Sequence, residues 1–269
     1  MKNTTRLARL LSATICLLAL APFAQAVALD SWNQLTGTGS DLNTDHPSFT
    51  SGSSTMKAAF PSALTLGAVG DTLTFSGKIT FTFPESVNGK DAEFRWGIFN
   101  HDNSSDDKNW LGYIAGNRST SGGRLYEKGT GNGAWNSTSS AGYAQIESTQ
   151  ITGGTSGGAA LAAGTYNLTF SFTREANGGT DGLRISWSLV GTGSSTYSLI
   201  GSWLDASPAS WTYDRIGINI ASGFGQTSAA FSELAIAKTS ALPEPATIAL
   251  LGAFAALIVA LAAKRKLCQ

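Results

Sequence analysis

The sequence predicts an all-β protein, a two-sheet antiparallel sandwich flanked by an N-terminal signal peptide and a C-terminal transmembrane helix. Three observations predict it. Apolar and polar residues alternate with period two through many stretches of the middle of the chain. Asn-Gly, Gly-Gly and Asp-Gly pairs sit between those stretches, where hairpins need positive φ. No stretch of the middle sustains a 3.6-residue apolar period.

The elements follow in chain order. Lys2, Arg6 and Arg9 precede an apolar run, Leu10 to Ala21, that is short for a bilayer. Pro22 ends the run, and Ala24-Gln25-Ala26 offers small residues at the two positions a signal peptidase reads, Ala24 and Ala26. This is the pattern of a secretory signal over residues 1–26, cleaved after Ala26. The body, residues 27–241, opens with a Gly/Ser/Thr-rich stretch from Thr36 to Thr55 that reads as loop, followed by a short helix near Thr55 to Phe60.

Strands then dominate. Leu73, Phe75, Ile79, Phe81 and Phe83 alternate with Thr74, Ser76, Lys78, Thr80 and Thr82. Phe94, Trp96 and Ile98 alternate with Glu93, Arg95 and Phe99. Tyr166, Leu168, Phe170 and Phe172 are followed, after a turn over Asn177 to Asp181, by Leu183, Ile185, Trp187 and Leu189. Ile216, Ile218 and Ile220 close the set. Shorter strands are expected at Trp110 to Ala115, Gly123 to Glu127, Ser198 to Leu204 and Ala230 to Ala237. Gly129 to Ser140 and Thr152 to Gly158 read as loops. In each long strand one face is apolar and the other wet, as a half-buried antiparallel sheet requires.

The tail is Leu242-Pro243-Glu244-Pro245-Ala246-Thr247, then an uncharged apolar stretch, then Lys264-Arg265-Lys266. Residues 246–263 form about 27 Å of helix, close to the thickness of a hydrocarbon core. The basic cluster acts as a stop and fixes that end in the cytoplasm. The mature protein is thus expected outside, tethered in the membrane by residues 242–269 until it is processed.

Pro243, Glu244 and Pro245, a span and a terminal basic cluster, in that order, resemble the PEP-CTERM sorting signal of Gram-negative bacteria. The resemblance implies recognition of those three residues by an exosortase, a membrane transpeptidase-like enzyme. It also implies release to the cell surface or to an exopolysaccharide matrix. The order of strands, from Phe94–Phe99 through Gly164–Phe170 and Leu183–Val190 to Phe231–Ile236, resembles concanavalin A-like and laminin-G-like jelly rolls.

Charge bounds the partners. The whole chain has 18 basic and 18 acidic residues, which excludes a strongly basic nucleic-acid binder. Three basic residues leave with the signal, and three more leave with the tail together with Glu244. The body then holds 12 basic against 17 acidic side chains, a mild acidity that argues against anionic partners such as DNA or phospholipid headgroups. Cys16 and Cys268 both lie in the terminal segments, so the body has no disulfide, cysteine nucleophile or zinc–thiolate site.

Catalytic chemistry finds no local motif, and no catalytic residue or cofactor is assigned. A retaining glycosidase needs two carboxylates about 5 Å apart. Asp91 and Glu93 share a strand face, but Glu93 is expected to be solvated or paired with Arg95. His46 and His101 sit beside polar loop residues and read as surface histidines. Binding chemistry has two candidates. Asp102, Asp106 and Asp107 crowd one loop with the hard oxygen ligands that calcium takes. Trp110, Tyr113 and Trp135 are candidate stacking platforms for a polysaccharide, with Trp135, in its Gly/Asn/Ser loop, expected to be the most exposed. The reading is an exported, non-catalytic surface or matrix protein, with a lectin-like carbohydrate-binding module or a glycan-active enzyme as alternatives. Its partners are signal peptidase, an exosortase, the membrane and a polysaccharide.

Overall fold

Strands with one apolar face are stable only when two such faces are laid together, and this computed structural model has that arrangement. It describes residues 24–83, 92–101, 106–118, 122–131, 133–136, 143–146, 151–153 and 161–241. Residues 1–23, Asp91, Asp102, Pro243, Glu244, Pro245, the span 246–263, Lys264, Arg265 and Lys266 lie outside the described residues. Among the described residues no helix is long and apolar enough to cross a membrane. One compact unit covers Ala24–Thr239.

The strands are β1 (Ala24–Ala28), β2 (Trp32–Thr36), β3 (Gly39–Ser40), β4 (Ser48–Thr50), β5 (Ser54–Thr65), β6 (Thr72–Thr82), β7 (Glu93–Asn100), β8 (Leu111–Arg118), β9 (Gly122–Lys128), β10 (Tyr143–Ile146), β11 (Ile151–Gly153), β12 (Gly164–Asn177), β13 (Thr180–Gly191), β14 (Ser198–Asp205), β15 (Thr212–Ile220) and β16 (Ser228–Thr239). A 3-10 turn, Asp107–Asn109, lies between β7 and β8. One sheet runs β11-β14-β13-β12-β6-β16-β4-β3, with β1 also on β16. The other, seven-stranded, runs β10-β9-β8-β7-β15-β5-β2. The ladders between these strands are antiparallel.

The predicted alternation becomes the core. Leu73, Phe75, Ile79 and Phe81 of β6, Tyr166 to Phe172 of β12, and Leu183 to Leu189 of β13 turn their apolar members inward. They meet Phe94, Trp96 and Ile98 of β7 and Ile216, Ile218 and Ile220 of β15. Phe81 stands edge-on to Phe94 at 5.4 Å, and Phe172 lies 4.7 Å from Tyr213. The Trp96 indole N–H donates across the gap to the Thr169 carbonyl at 3.2 Å. The β12–β13 hairpin closes as expected: Asn177 pairs with Thr180, and Gly178 and Gly179 hold φ of +57° and +100°. Positive φ at both central residues matches the right-handed twist of the flanking strands.

Two local expectations change, and a third element meets the expected cleavage point. Thr55 to Phe60 is strand, not helix. Met56, Ala58 and Phe60 are buried while Lys57 and Ala59 are less so, a period of two that a run of small residues hides. Pro61 is tolerated because the β5–β15 ladder breaks between the Leu64–Tyr213 and Ala59–Arg215 pairs. The stretch from Thr36 to Thr55 is not all loop, since it contributes β3 and β4. β1 begins at Ala24 and pairs with β16 from Ala24–Thr239 to Ala28–Ala235. A cut after Ala26 therefore falls inside a strand.

Candidate ligand-binding face

The inward face of the seven-stranded sheet is consumed by the core, so any ligand chemistry on that sheet belongs to its outward face. Register places rows of side chains across β5, β15, β7, β8 and β9. One row is Lys57, Gly217, Gly97, Ile114 and Tyr126, and its neighbour is Thr55, Asn219, Arg95, Gly116 and Arg124. At about 4.8 Å between strands, each row is about 19 Å long.

Part of this face is dry. Phe99, Trp110, Ile114, Tyr126 and Trp135 form a second buried apolar cluster, separate from the core. Its lid is Trp135, which comes from the loop after β9. A Cβ on Gly217 would lie 2.5 Å from the Trp135 ring, so a side chain there would displace the indole. Phe99 lies 5.6 Å from both Trp110 and Trp135. The next residue fastens the lid: the Asn136 carbonyl accepts from Arg95 Nη1 at 2.7 Å.

Beside it lies a nest of charge. Glu93 is buried. One of its oxygens accepts from Arg95 Nε at 2.6 Å; the other accepts from Arg118 Nε at 2.8 Å and from the Tyr126 hydroxyl at 3.0 Å. Arg124 Nε stands 3.8 Å from the same carboxylate, and its Nη1 donates to Gln145 at 3.2 Å. Burial pushes the Glu93 carboxyl up. The Arg95 charge and the hydrogen bonds from Arg118, Arg95 and Tyr126 outweigh that, leaving it below the ordinary glutamate value. The Tyr126 hydroxyl moves the other way, raised by burial and by the Glu93 charge. Gly116 is buried beneath this nest, and a Cβ there would make an ordinary 3.5 Å contact with the Glu93 carboxylate.

The sequence-predicted residues are distributed differently from expectation. Trp110, Tyr113 and Trp135 are buried, Trp135 completely, so the expectation of an exposed Trp135 platform is corrected. Its loop carries no alternation, but its ring lies against Gly217 of β15. Trp110 also has Lys57 Nζ 5.1 Å above its ring. Tyr113 faces inward, edge-on to Phe172 at 5.4 Å, and its hydroxyl donates to Asp205. Asp205 in turn accepts from Ser207 N at 2.8 Å. Glu127 shares that inward side, and burial and the Asp205 charge raise its carboxyl above the ordinary value.

Of the calcium candidates, Asp106 accepts from Lys108 N at 3.1 Å and so caps the 3-10 turn. The cation beside Asp106 and Asp107 is the protein's own. The buried Lys128 ammonium donates to the Lys108 and Gly129 carbonyls at 2.8 and 3.2 Å. Burial lowers its pKa, and the two aspartates oppose that. Among the described residues no three His, Cys, Asp or Glu side chains are grouped to hold a metal. His46 is exposed beside Asp45 as expected, whereas His101 is half-buried in an ion pair with Asp214. Glu93 is paired with Arg95 but is not solvated.

Sequence reasoning passed over Arg118 and Arg124. Their signal was present: they flank one hairpin turn at same-face positions, opposite a strand whose polar face carries Glu93 and Arg95.

No family model matches the chain, and no curated protein matches its sequence. Solved structures similar to it are lectins and lectin-like proteins. The carbohydrate recognition domain of Emp47p has 9% identity and a TM-score of 0.45, covering 79% of this chain and 90% of that one. Arcelin-5, a lectin-like defense protein from Phaseolus vulgaris, has 10% identity and a TM-score of 0.45, covering 82% and 99%. The seed lectin of Lotus tetragonolobus has 7% identity and a TM-score of 0.42, covering 84% and 100%.

Proposed function

We propose that this chain is an exported, non-catalytic protein of the cell surface or extracellular matrix, whose sandwich binds carbohydrate through the outward face of its seven-stranded sheet. The leader and the sorting-type tail, bracketing a body without cysteine, support export and handling by an exosortase. The single observation that supports binding is the fixed array of side-chain donors on that face. Arg95, Arg118 and Arg124 stand on three adjacent strands, held by Glu93 and by Gln145. A hydroxyl-rich ligand is recognised best by donors already in place, because no ordering entropy is then spent on them.

Two measurements test this. Intact mass and fractionation, in hosts with and without an exosortase, should give a mature species starting near Val27 and ending near Pro243. That species should be lost on Pro243→Ala/Glu244→Ala. A species retaining Cys268 in every host would remove the sorting part. Glycan-array binding by the full chain tests the sandwich, and an array with no signal above that of an unrelated β-protein would remove the binding part.

A second reading, a glycan-active enzyme, has one observation in its favour, the raised carboxyl of Glu127 beside Asp205. Release of reducing ends from a polysaccharide, lost in Glu127→Gln, would replace the first reading with this one.

A further inference from the structure

Each sheet carries a shallow groove on its outward face. The two are of similar size and differ in charge. The first, of about 300 Å³, lies on the nine-stranded sheet and is lined by Ser76, Lys78, Asn167 and Glu233 among others. Its lysine is answered, since Lys78 Nζ donates to Glu233 at 2.5 Å. The second, of about 340 Å³, crosses β2, β5 and β15 of the seven-stranded sheet, and Ser31, Asn33, Lys57, Ala59 and Arg215 line it. Two of these are cations, and no carboxylate is among its described lining residues.

Register builds the second groove. Asn33 pairs with Lys57, Trp32 with Ala58, and Ala59 with Arg215. Trp32 and Ala58 belong to the buried core, so Asn33, Lys57, Ala59 and Arg215 stand on the outward side. Ala59 makes the hollow, because a methyl group beside the long Lys57 and Arg215 side chains leaves their height unfilled. Ser31, Asn33 and Ala59 are exposed, so the hollow is open to solvent. Three strands about 4.8 Å apart make it about 10 Å across. Its volume is at the small end of the roughly 300–1,000 Å³ typical of ligand clefts, which suits one unit of a polymer rather than a folded partner. Both cations are ordered without being neutralised. Lys57 Nζ rests 5.1 Å from the centre of the Trp110 ring, and a ring face steadies an ammonium but is no counterion. Among the described residues Lys57 has no carboxylate partner. Arg215 Nη1 donates to the Asp214 carbonyl at 2.8 Å and lies 3.5 Å from the Asp214 carboxylate. That carboxylate is shared with His101, from whose backbone N–H it accepts at 3.1 Å and with whose ring it pairs. Arg215 Nε and Nη2 make no hydrogen bond among the described residues. An ammonium and a guanidinium edge already in place suit a carboxylate or sulfate. The Ser31 hydroxyl and the Asn33 amide both donate and accept, as sugar hydroxyls do.

We infer that this groove is a subsite for one anionic unit of an acidic polysaccharide, with Lys57 and Arg215 taking its carboxylate or sulfate and Ser31 and Asn33 its hydroxyls. The inference rests on the reading that the outward face binds carbohydrate, and it adds a second site to that face. Gly217, which Trp135 covers, lies between Lys57 and the strands that carry Arg95, Arg118 and Arg124. The mild acidity of the whole body is screened over about 8–10 Å in physiological salt, so the sign inside the groove governs there.

The test is binding of the full chain to immobilised polygalacturonate, dextran sulfate and neutral dextran, with duplex DNA as a fourth arm. One or both acidic polymers should bind well above dextran, and more weakly as salt rises; which of them binds tells carboxylate from sulfate. Lys57→Gln and Arg215→Gln should each weaken that binding about tenfold, the loss expected for one charge-assisted contact. Ala59→Leu fills the hollow at an exposed position without touching a charge, and it should weaken binding as much. Near-ultraviolet circular dichroism confirms that each variant is folded. Should a charge variant unfold, Ala59→Leu decides, with Asn33→Leu on the edge strand as its replacement. Acidic polymers bound equally by the unaltered chain and its variants would overturn the inference and leave carbohydrate binding standing. So would binding only to neutral glycans, on dextran or on the array. No binding to any sugar would overturn both. DNA bound as tightly as the acidic polymers would also overturn it, by reducing the groove to a general polyanion surface.

Discussion

Two regions share the same three strands on the outward face of the seven-stranded sheet and solve opposite problems. The dry cluster under Trp135 removes apolar surface from water by borrowing a lid from a loop. The nest around Glu93 removes a carboxylate from water by surrounding it with cations. One is held by non-directional burial, the other by directed bonds, so they should fail differently. Burial tolerates small adjustments and declines by degrees. A buried carboxylate stripped of its partners, or cations stripped of their carboxylate, has no intermediate state.

The sharpest break of that comparison is Glu93→Ala, which leaves the arginines facing one another with no anchor. A loss of about 3–5 kcal/mol in urea unfolding is expected, and a loss under ~1 kcal/mol would mean the nest is solvent-screened. Gly217→Ala attacks the dry side by pushing a methyl group into the Trp135 ring. A cost of about 1–3 kcal/mol is expected, with a red shift of tryptophan emission as the lid lifts.

The pH dependence sets the charged groups apart. Glu93 sits below its ordinary value, so its contribution is present above the unfolded pKa of about 4.3 and is lost as pH falls through the folded one. Glu127 is raised, so its effect has the opposite sign. Stability is greatest with Glu127 protonated and declines as pH rises from about 4.3 through its folded pKa. Stability should therefore peak near the ordinary glutamate value. Glu127→Gln should flatten the limb above the peak and leave the acid limb unchanged; an unchanged upper limb would mean the Asp205 coupling is screened. The smallest effect belongs to Lys57→Met, which removes the cation over Trp110 while keeping most of the stem. About 0.5–1 kcal/mol is expected, halfway between the two kinds of bonding.

The contrast also explains what was legible in the sequence. All nine patterned stretches, from Leu73–Phe83 to Ala230–Ala237, are strands, because a face buried by the opposite sheet imposes its period on every residue. The β12–β13 turn was legible because Gly178 and Gly179 meet a backbone demand. β5 was not, because Ala58 and Ala59 differ little in polarity and Pro61 discourages a strand reading. The outward face was misjudged for a more general reason. Alternation says which residues leave the core, and it is silent on whether a loop then covers them. Trp135 therefore reads as exposed, and Glu93 as solvated or paired with Arg95. Arg118 and Arg124 gain meaning only once register puts them beside Glu93.

The pairing of Ala24 with Thr239 has a mechanical consequence. Both ends of the compact unit leave from one rung of one antiparallel ladder. A pull between them loads that ladder rung by rung from its open end, as a zip is drawn, rather than shearing all its bonds together. In the uncut chain the five β1–β16 rungs therefore yield in succession at low force, while β6, on the far side of β16, is not yet strained; a chain cut after Ala26 keeps only the Val27–Ile236 and Ala28–Ala235 rungs of that ladder. The sandwich has a soft seam at its point of attachment and a stiff body behind it.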